Sequence, residues 1–413
     1  MSTTPPRLKH LLSAIYTGGT PESGNEDYWT DDETGIAWVA IGDMSSRERV
    51  CETQKRITKT GLESKRLEIL QPGTLIYSMY ASVGHVAELA IPAAINQALL
   101  GFEFKLGVSK HFIKWYLRHL QKQVLEEVSS NTQDNLNAEK VRNFSIHLPS
   151  QTEQDRIACF LDNEAARIDS LIAEKQRLTD LLTEKRRAVI ADFLTKGLNK
   201  DAPRRDSGIP WLGETPAHWQ VERAKWLFTE RDDRSDSGDE ELLTVSHLTG
   251  VTSRAEKDVN MFMAESLEGY KRCQAGDLVI NTLWAWMGAM GVARQPGIVS
   301  PAYNVYQPVA QLDPEYVDLL VRTPRFVEEI TRYSKGVWSS RLRLYPEGLY
   351  EAWLPVPPLD EQRAIVAQVQ TETKKLDALA EATERTITLL QERRSALISA
   401  AVTGELEFGE ASI

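Results

Sequence analysis

Three runs in this sequence concentrate the side chains that a negatively charged partner requires. Arg47 to Arg66 (RERVCETQKRITKTGLESKR) holds seven basic residues, Arg47, Arg49, Lys55, Arg56, Lys59, Lys65 and Arg66, against three acidic ones. Lys110 to Lys122 (KHFIKWYLRHLQK) holds four and none, with Trp115 and Tyr116 at its centre. Arg322 to Arg343 holds six against two, among them Arg332, Lys335, Arg341 and Arg343. Lys and Arg grip phosphates, and Arg with Asn or Gln in the same loops can read base edges. Each run reads equally as a solvated helix face, and Phe112, Trp115 and Leu120 equally as core. Trp284 and Trp286 in NTLWAWMGAMG offer rings for stacking, but their spacing of two reads more readily as one buried strand face.

Other chemistry is hard to find. There is no phosphate-binding Gly-rich loop ending in Gly-Lys-Ser/Thr, no Asn/Asp-Pro-Pro-Phe/Tyr tetrapeptide of adenine methylation, and no G-x-G-x-x-G after a strand; SPAY at Ser300 is not that tetrapeptide. Five of the seven histidines (His10, His85, His111, His119, His147) fall in the first 147 residues, without the spacing of a Ser- or Cys-His-acid site. The three cysteines, Cys51, Cys159 and Cys273, are scattered, which suits a reducing compartment and makes neither a disulfide framework nor a zinc site. We therefore expect no catalytic residue, no metal and no cofactor in this chain.

What positions the basic runs is a duplication. The segment beginning LPSQTEQDRIACFL at Leu148 aligns without a gap on the segment beginning VPPLDEQRAIVAQV at Val356, at a constant offset of 208. Matched pairs include Pro149/Pro357, Gln154/Gln362, Asp169/Asp377, Leu182/Leu390 and Ile190/Ile398. Each copy reads as one long helix, since Pro precedes a Glu-Gln pair and good helix formers follow. A helix of about 40 residues is about 60 Å long and makes a spacer. Ile157, Leu161, Glu164, Ile168, Leu171, Lys175, Leu178 and Leu182 step as a heptad seam in the first copy, and Ile365, Val369, Glu372, Leu376, Leu379 and Leu390 in the second. A parallel, in-register coil would stack Glu164 on Glu372, so the helices should run antiparallel. The register that sets Ile168 against Leu379 and Leu171 against Leu376 also pairs Lys175 with Glu372.

The stretches outside the helices, rich in Trp, Tyr, Gly and Pro, read as mixed α/β domains with strands such as TLIYSMY from Thr74 and DLVIN from Asp277. Gly73 matches Gly276 just before each strand, and INQA from Ile95 faces VSPA from Val299. The expected organisation is one domain over 1–147, a helical spacer and linker over 148–206, a second domain over 207–355 and a distal helix over 356–413. The fold class is α/β, with two such domains, an antiparallel coiled coil and a pseudo-twofold internal repeat.

Composition gives 413 residues, enough for two cores, with a formal charge of −11. That sign speaks against a chain that coats a polyanion, yet the excess acid lies mainly in 207–355, with 15 basic and 21 acidic groups. The stretch ERDDRSDSGDEE from Glu230 reads as a mobile, solvated loop. Apolar runs fall short of a membrane span and no signal peptide is evident, so a soluble, cytoplasmic protein is expected.

Two variable domains alternating with two similar long helices resemble the specificity subunit of type I restriction-modification enzymes. The resemblance covers essentially the whole chain. Its motifs here are TGGTP from Thr17, Tyr28 and Trp29, WVAIGD from Trp38, IPWLGETPAHW from Ile209, AGDLV from Ala275, GIVSPAYNV from Gly297, PPLDEQRAIV from Pro357 and AVTGEL from Ala401. It implies that each variable domain is a target-recognition domain reading one half of a split, asymmetric double-stranded DNA target, which makes the basic runs candidate DNA faces. It implies also that the helices dock two adenine-N6 methyltransferase subunits, and that restriction/translocase subunits join. S-adenosylmethionine, ATP and Mg would then sit in the partners, none in this chain. The alternative is a coiled-coil scaffold that binds protein partners and not DNA.

Overall fold

The computed structural model describes residues 5–45, 47–130, 136–256, 266–336 and 342–406. The chain divides into two compact units, 1–175 with 385–413, and 176–384, so each unit contains part of both long helices.

Unit 1 is built on a five-stranded sheet. Strands β1 (Leu12–Thr17), β2 (Leu75–Ser78), β3 (Val86–Leu89) and β4 (Leu99–Phe104) lie in the order β1-β4-β2-β3, all antiparallel, with Arg49–Val50 added at the β3 edge. A smaller sheet carries Trp29–Thr30, Lys55–Ile57, Ile36–Val39 and Ala93–Ile95. The buried runs Leu75–Ser78 and Leu99–Gly101 are apolar on both faces because helix α1 (Lys110–Ser130) and the end of the distal long helix cover one side and the smaller sheet the other.

Unit 2 repeats this plan. Strands β5 (Phe228–Glu230), β6 (Leu278–Asn281), β7 (Met290–Val292) and β8 (Tyr303–Pro308) take the order β5-β8-β6-β7, again all antiparallel. Gly73 and Gly276 precede β2 and β6 with φ of 90° and 95°, a left-handed turn that an L side chain would strain. Helices α3 (Pro314–Val321) and α4 (Pro324–Tyr333) follow β8, each begun by a capping side chain and a proline: Asp313 accepts from the Glu315 and Tyr316 amides, Thr323 from that of Phe326.

The long helices are α2 (Gln151–Lys196) and α5 (Leu359–Thr403). They run antiparallel within each unit. In unit 1 Asp169 meets Arg394 and His147 approaches Gly404; in unit 2 Arg186 meets Asp377 and Gly197 approaches Glu361. The seam differs from the sequence expectation in two respects. First, only part of the expected stripe is enclosed: Ile157, Leu161, Ile168 and Leu182 are buried, joined by Ala158 and Ala165, whereas Glu164 is only half-buried and Leu171 is 38% exposed. The second copy does the same, with Ile365 and Val369 buried, joined by Val366 and Thr373, Glu372 half-buried and Leu379 48% exposed.

Second, the register is not the one that pairs Lys175 with Glu372. That register would set Asp169 opposite residue 378 and Arg186 opposite residue 361, but their partners are Arg394 and Asp377. Glu372 binds Lys375 and Gln368 on its own helix instead. The ends of the helices decide the matter. Ile398, Ala401 and Val402 are buried in the unit 1 core, and Leu194, Ile365 and Val366 in that of unit 2, and burying these side chains outweighs one polar pair in a seam.

Candidate nucleic-acid interface

The first basic run is spread over several elements of unit 1. Arg49 lies exposed on the edge strand Arg49–Val50, and Lys55 on the strand Lys55–Ile57 stands over the Trp29 ring at 5.4 Å. Arg56 turns inward and donates to the Gly35 carbonyl at 2.9 Å, which makes it part of the framework. Arg47 pairs with Glu52 at 3.1 Å, and Lys59 lies 4.0 Å from Glu63 on the short helix Lys59–Ser64. Lys65 and Arg66 close that helix, both exposed, with Arg66 held at a left-handed φ of 51°.

The second run is structural. Phe112 and Trp115 are core, and three of the run's four cations are spoken for: Lys110 pairs with Glu88 at 3.0 Å, Lys114 with Asp162 at 3.3 Å and Arg118 with Glu48 at 2.8 Å. Burial alone would raise the Glu48 carboxyl, yet the Arg118 guanidinium, with Lys114 and Arg394, outweighs it and holds that pKa below the ordinary value. In the third run Arg332 pairs with the buried Glu329 at 2.9 Å. Lys335 and Arg343 exchange two backbone hydrogen bonds of 2.9 Å in an isolated β-bridge, which brings these exposed cations together from residues eight apart in the chain. Arg341 lies outside the described residues.

Two expectations are corrected. Trp284 and Trp286 do not form one buried face, because the chain leaves β6 through a 3-10 turn, Ala285–Met287, closed by Gly288 at φ 88°. Trp284 is therefore 49% exposed, while Trp286 is half-buried and donates to the Leu283 carbonyl at 3.0 Å. The acidic stretch from Glu230 is tied down around one cation: Arg272 contacts Glu240 at 2.7 Å, Asp233 at 3.4 Å and Asp236 at 3.5 Å. Lys271, 5% exposed, adds Glu230 at 3.7 Å and Asp232 at 3.9 Å.

The residues that fasten each domain to its helix are visible in the sequence only as a repeated letter. Gln154 is 1% exposed; its Oε1 accepts from the Ser109 amide at 2.8 Å and its Nε2 donates to the Pro149 carbonyl at 2.9 Å. Gln362 is 0% exposed; its Oε1 accepts from the Asp313 amide at 2.8 Å and its Nε2 donates to the Pro357 carbonyl at 2.8 Å. Each glutamine thus satisfies the backbone just before the domain's own helix and just before the long one. Its recurrence after Glu in the first turn of α2 and of α5 is the signal that could have found it. The TGGTP segment is also structural: a Cβ on Gly18 would fall 2.0 Å from the Asn96 carbonyl oxygen, so only glycine lets this loop lie against INQA.

Among the described residues no group of three or more His, Cys, Asp or Glu is placed to hold a metal, and no helix is long and apolar enough to cross a membrane.

Residues 12–180 match the family model described as the type I restriction modification DNA specificity domain. The chain is 24% identical over 367 residues to the type I restriction enzyme EcoBI specificity subunit of Escherichia coli, covering 81% of this chain and 74% of that protein. It is 25% identical over 175 residues to the MjaIX specificity subunit of Methanocaldococcus jannaschii, covering 41% of this chain but only 39% of that protein. Its fold is shared by a chain from a structural study of assembly and conformational transition in a type I R-M system (TM-score 0.69, 14% identity, 98% of this chain and 100% of that one). It is shared also by the HsdS subunit from Thermoanaerobacter tengcongensis (TM-score 0.57, 15% identity, 97% and 96%). With a specificity-domain match over residues 12–180, relatives of one kind across four-fifths of its length and a duplicated domain-and-helix plan, the chain is similar to the type I restriction-modification DNA specificity subunits.

Proposed function

We propose that this chain is a non-catalytic subunit that reads a bipartite, asymmetric DNA target, one half with each α/β domain, and docks two adenine-N6 methyltransferase subunits on its long helices. Restriction subunits would join the same assembly, with S-adenosylmethionine, ATP and Mg held by the partners. The observation that carries this reading is the equivalence of Gln154 and Gln362: two domains of one topology are fastened to the helices by the same contacts, while the exposed residues on those domains differ. A common attachment with divergent surfaces suits two readers of different half-sites. The helix surfaces repeat as well. Unit 1 exposes Leu171 and Leu389, unit 2 exposes Leu379 and Leu181, and each residue has its mate at the offset of 208. An apolar face presented twice suits two copies of one partner. Replacing residues 207–355 by the corresponding domain of another family member, followed by sequencing of methylated sites, tests the reading. One half of the methylated motif should change; a change in both halves refutes the division of labour.

A further inference from the structure

The hairpin connections β2–β3 in unit 1 and β6–β7 in unit 2 occupy the same place in the same sheet order, and each carries an exposed aromatic ring. Tyr80 is 42% exposed and Trp284 is 49% exposed. Neither connection is a loose loop. In unit 1 the Ser78 hydroxyl donates to the Tyr80 carbonyl at 2.8 Å, the Gly84 amide to the Ser78 carbonyl at 2.9 Å, and Gln121 of α1 to the Val83 carbonyl at 3.1 Å. Ala81, next to the tyrosine, sits at a left-handed φ of 58° that alanine seldom adopts. In unit 2 the Trp284 amide donates to the Asn281 carbonyl at 3.0 Å and the Ala289 amide to the Trp284 carbonyl at 3.1 Å, while Val327 of α4 lies 3.1 Å from where a Cβ on Gly288 would be. Both rings are thus aimed outward by a braced backbone.

Each ring also has cations delivered beside its turn by a separate segment. In unit 1 the His85 ring meets the Arg47 carbonyl at 3.1 Å and the Ser82 hydroxyl meets that of Ser45 at 3.0 Å, which places Arg47 against the turn. In unit 2 the Leu344 amide donates to the Thr282 carbonyl at 3.1 Å, which sets the Lys335–Arg343 bridge against the other turn. A braced, half-bare ring with a basic residue on the segment packed against its turn is suited to a base and its adjoining phosphate.

We propose that Tyr80 and Trp284 are base-contacting residues, one for each half of the DNA target, with Arg47 and the Lys335–Arg343 pair gripping the neighbouring phosphates. The inference rests on the DNA-specificity reading above and names the residues through which that reading would operate. Trp284→Ala and Tyr80→Ala are to be assayed in the full chain assembled with its methyltransferase, on duplexes carrying the methylated motif and on random duplexes, with melting temperature as the check on folding. Each should weaken binding to the target about tenfold to a hundredfold, the range for one base-pair position lost from a specific duplex site, with random-duplex affinity nearly unchanged. Methylated-site sequencing should show degeneracy in one half for Trp284→Ala and in the other for Tyr80→Ala, with Trp284→Phe close to wild type. Trp226→Ala, which removes a ring 65% exposed elsewhere in unit 2, should leave both readouts unchanged. An unaltered motif with wild-type affinity, equal losses on target and random duplexes, or an equal loss in the Trp226 variant would each overturn the assignment. A wild-type assembly that does not distinguish target from random DNA would instead refute the specificity reading itself, and this inference with it.

Discussion

Arg394 Nε lies 2.8 Å from Asp169 Oδ1 in unit 1, and the same pair recurs in unit 2 as Arg186 Nε and Asp377 Oδ1 at 3.0 Å. Adding 208 to Asp169 gives Asp377, and adding it to Arg186 gives Arg394, so the two ion pairs are one contact copied by the duplication with the helices exchanging roles. Such an exchange requires the two helices to run antiparallel. The copies are not energetically equal. Arg394 also stands 5.9 Å from the Trp115 ring centroid, and its side chain is 26% exposed against 44% for Arg186.

The buried glutamines should be the most sensitive polar positions in the chain. Gln362→Ala leaves the Asp313 amide and the Pro357 carbonyl without their partner, and Gln154→Ala does the same to Ser109 and Pro149. Each unmet buried group costs about 1–3 kcal/mol, so either variant should lose about 2–4 kcal/mol. Gln362→Glu should be nearly as harmful, because a carboxylate accepts from Asp313 but repels the Pro357 carbonyl. Chemical denaturation checks both, and a loss below about 1 kcal/mol would show that the clamp is dispensable.

These glutamines also mark how far the fold is legible in the sequence. The Pro-x-x-x-Glu-Gln motif stands out because it occurs twice at one offset, yet which contacts the glutamine makes depends on a domain helix some fifty residues away in sequence. Helix direction agrees with the expectation, but the charges that expectation rests on, Glu164 and Glu372, lie half-buried rather than in a dry seam, and it is the Asp169–Arg394 and Arg186–Asp377 pairs that display it. Register does not agree, because it is set by where Ile398, Ala401 and Leu194 enter the domain cores. The basic runs are legible as composition only: Lys114 and Arg118 point to carboxylates that lie far off in the sequence, while Lys335 and Arg343 meet through a bridge that no local pattern announces. Trp284 departs from expectation for a local reason. A 3-10 turn ended by a left-handed glycine replaces the strand that a spacing of two suggests.

Acid should loosen unit 2 through Glu240. Hydrogen bonds from the Ser235 hydroxyl, and then from Arg272, pull its pKa from 4.5 down to about 2. A carboxyl whose folded pKa is depressed stabilises the native state above its unfolded value, and this contribution drains away as pH falls from about 4.5 towards about 2. Glu240→Gln removes the titration. Its melting temperature should therefore lie below wild type at neutral pH and converge with it near pH 2, as followed by circular dichroism. A constant gap across that range would rule out this linkage.

Electrostatic contacts with DNA should be local. Lys335→Ala with Arg343→Ala is expected to weaken binding by the assembled complex and to flatten its salt dependence by about two units of slope, one per lost phosphate contact. The matched pair Lys374→Ala and Lys375→Ala lies on α5, where Lys375 is engaged by Glu372 at 2.8 Å, and should change neither. Binding isotherms at four or five salt concentrations separate the two. Equal slopes would remove the Lys335–Arg343 bridge from the interface.

Burial along the seam separates stability from assembly at two residues three apart on α2. Ile168 is 3% exposed and belongs to the buried stripe, so Ile168→Ala should cost about 2–4 kcal/mol through lost burial and the cavity left behind. Leu171, which a strict heptad count places in the same seam, is 38% exposed, and Leu171→Ala should cost less than about 1 kcal/mol. If the outward leucines receive the methyltransferase, Leu171→Ala combined with Leu389→Ala in unit 1 should reduce the number of methyltransferase subunits bound per chain from two to one while leaving the melting temperature of the isolated chain nearly unchanged. Adding Leu181→Ala and Leu379→Ala should abolish the second. Sedimentation of the reconstituted complex reads the stoichiometry directly. Full occupancy in the fourfold variant would place the docking surface elsewhere, and a large loss of stability in Leu171→Ala would return that residue to the seam.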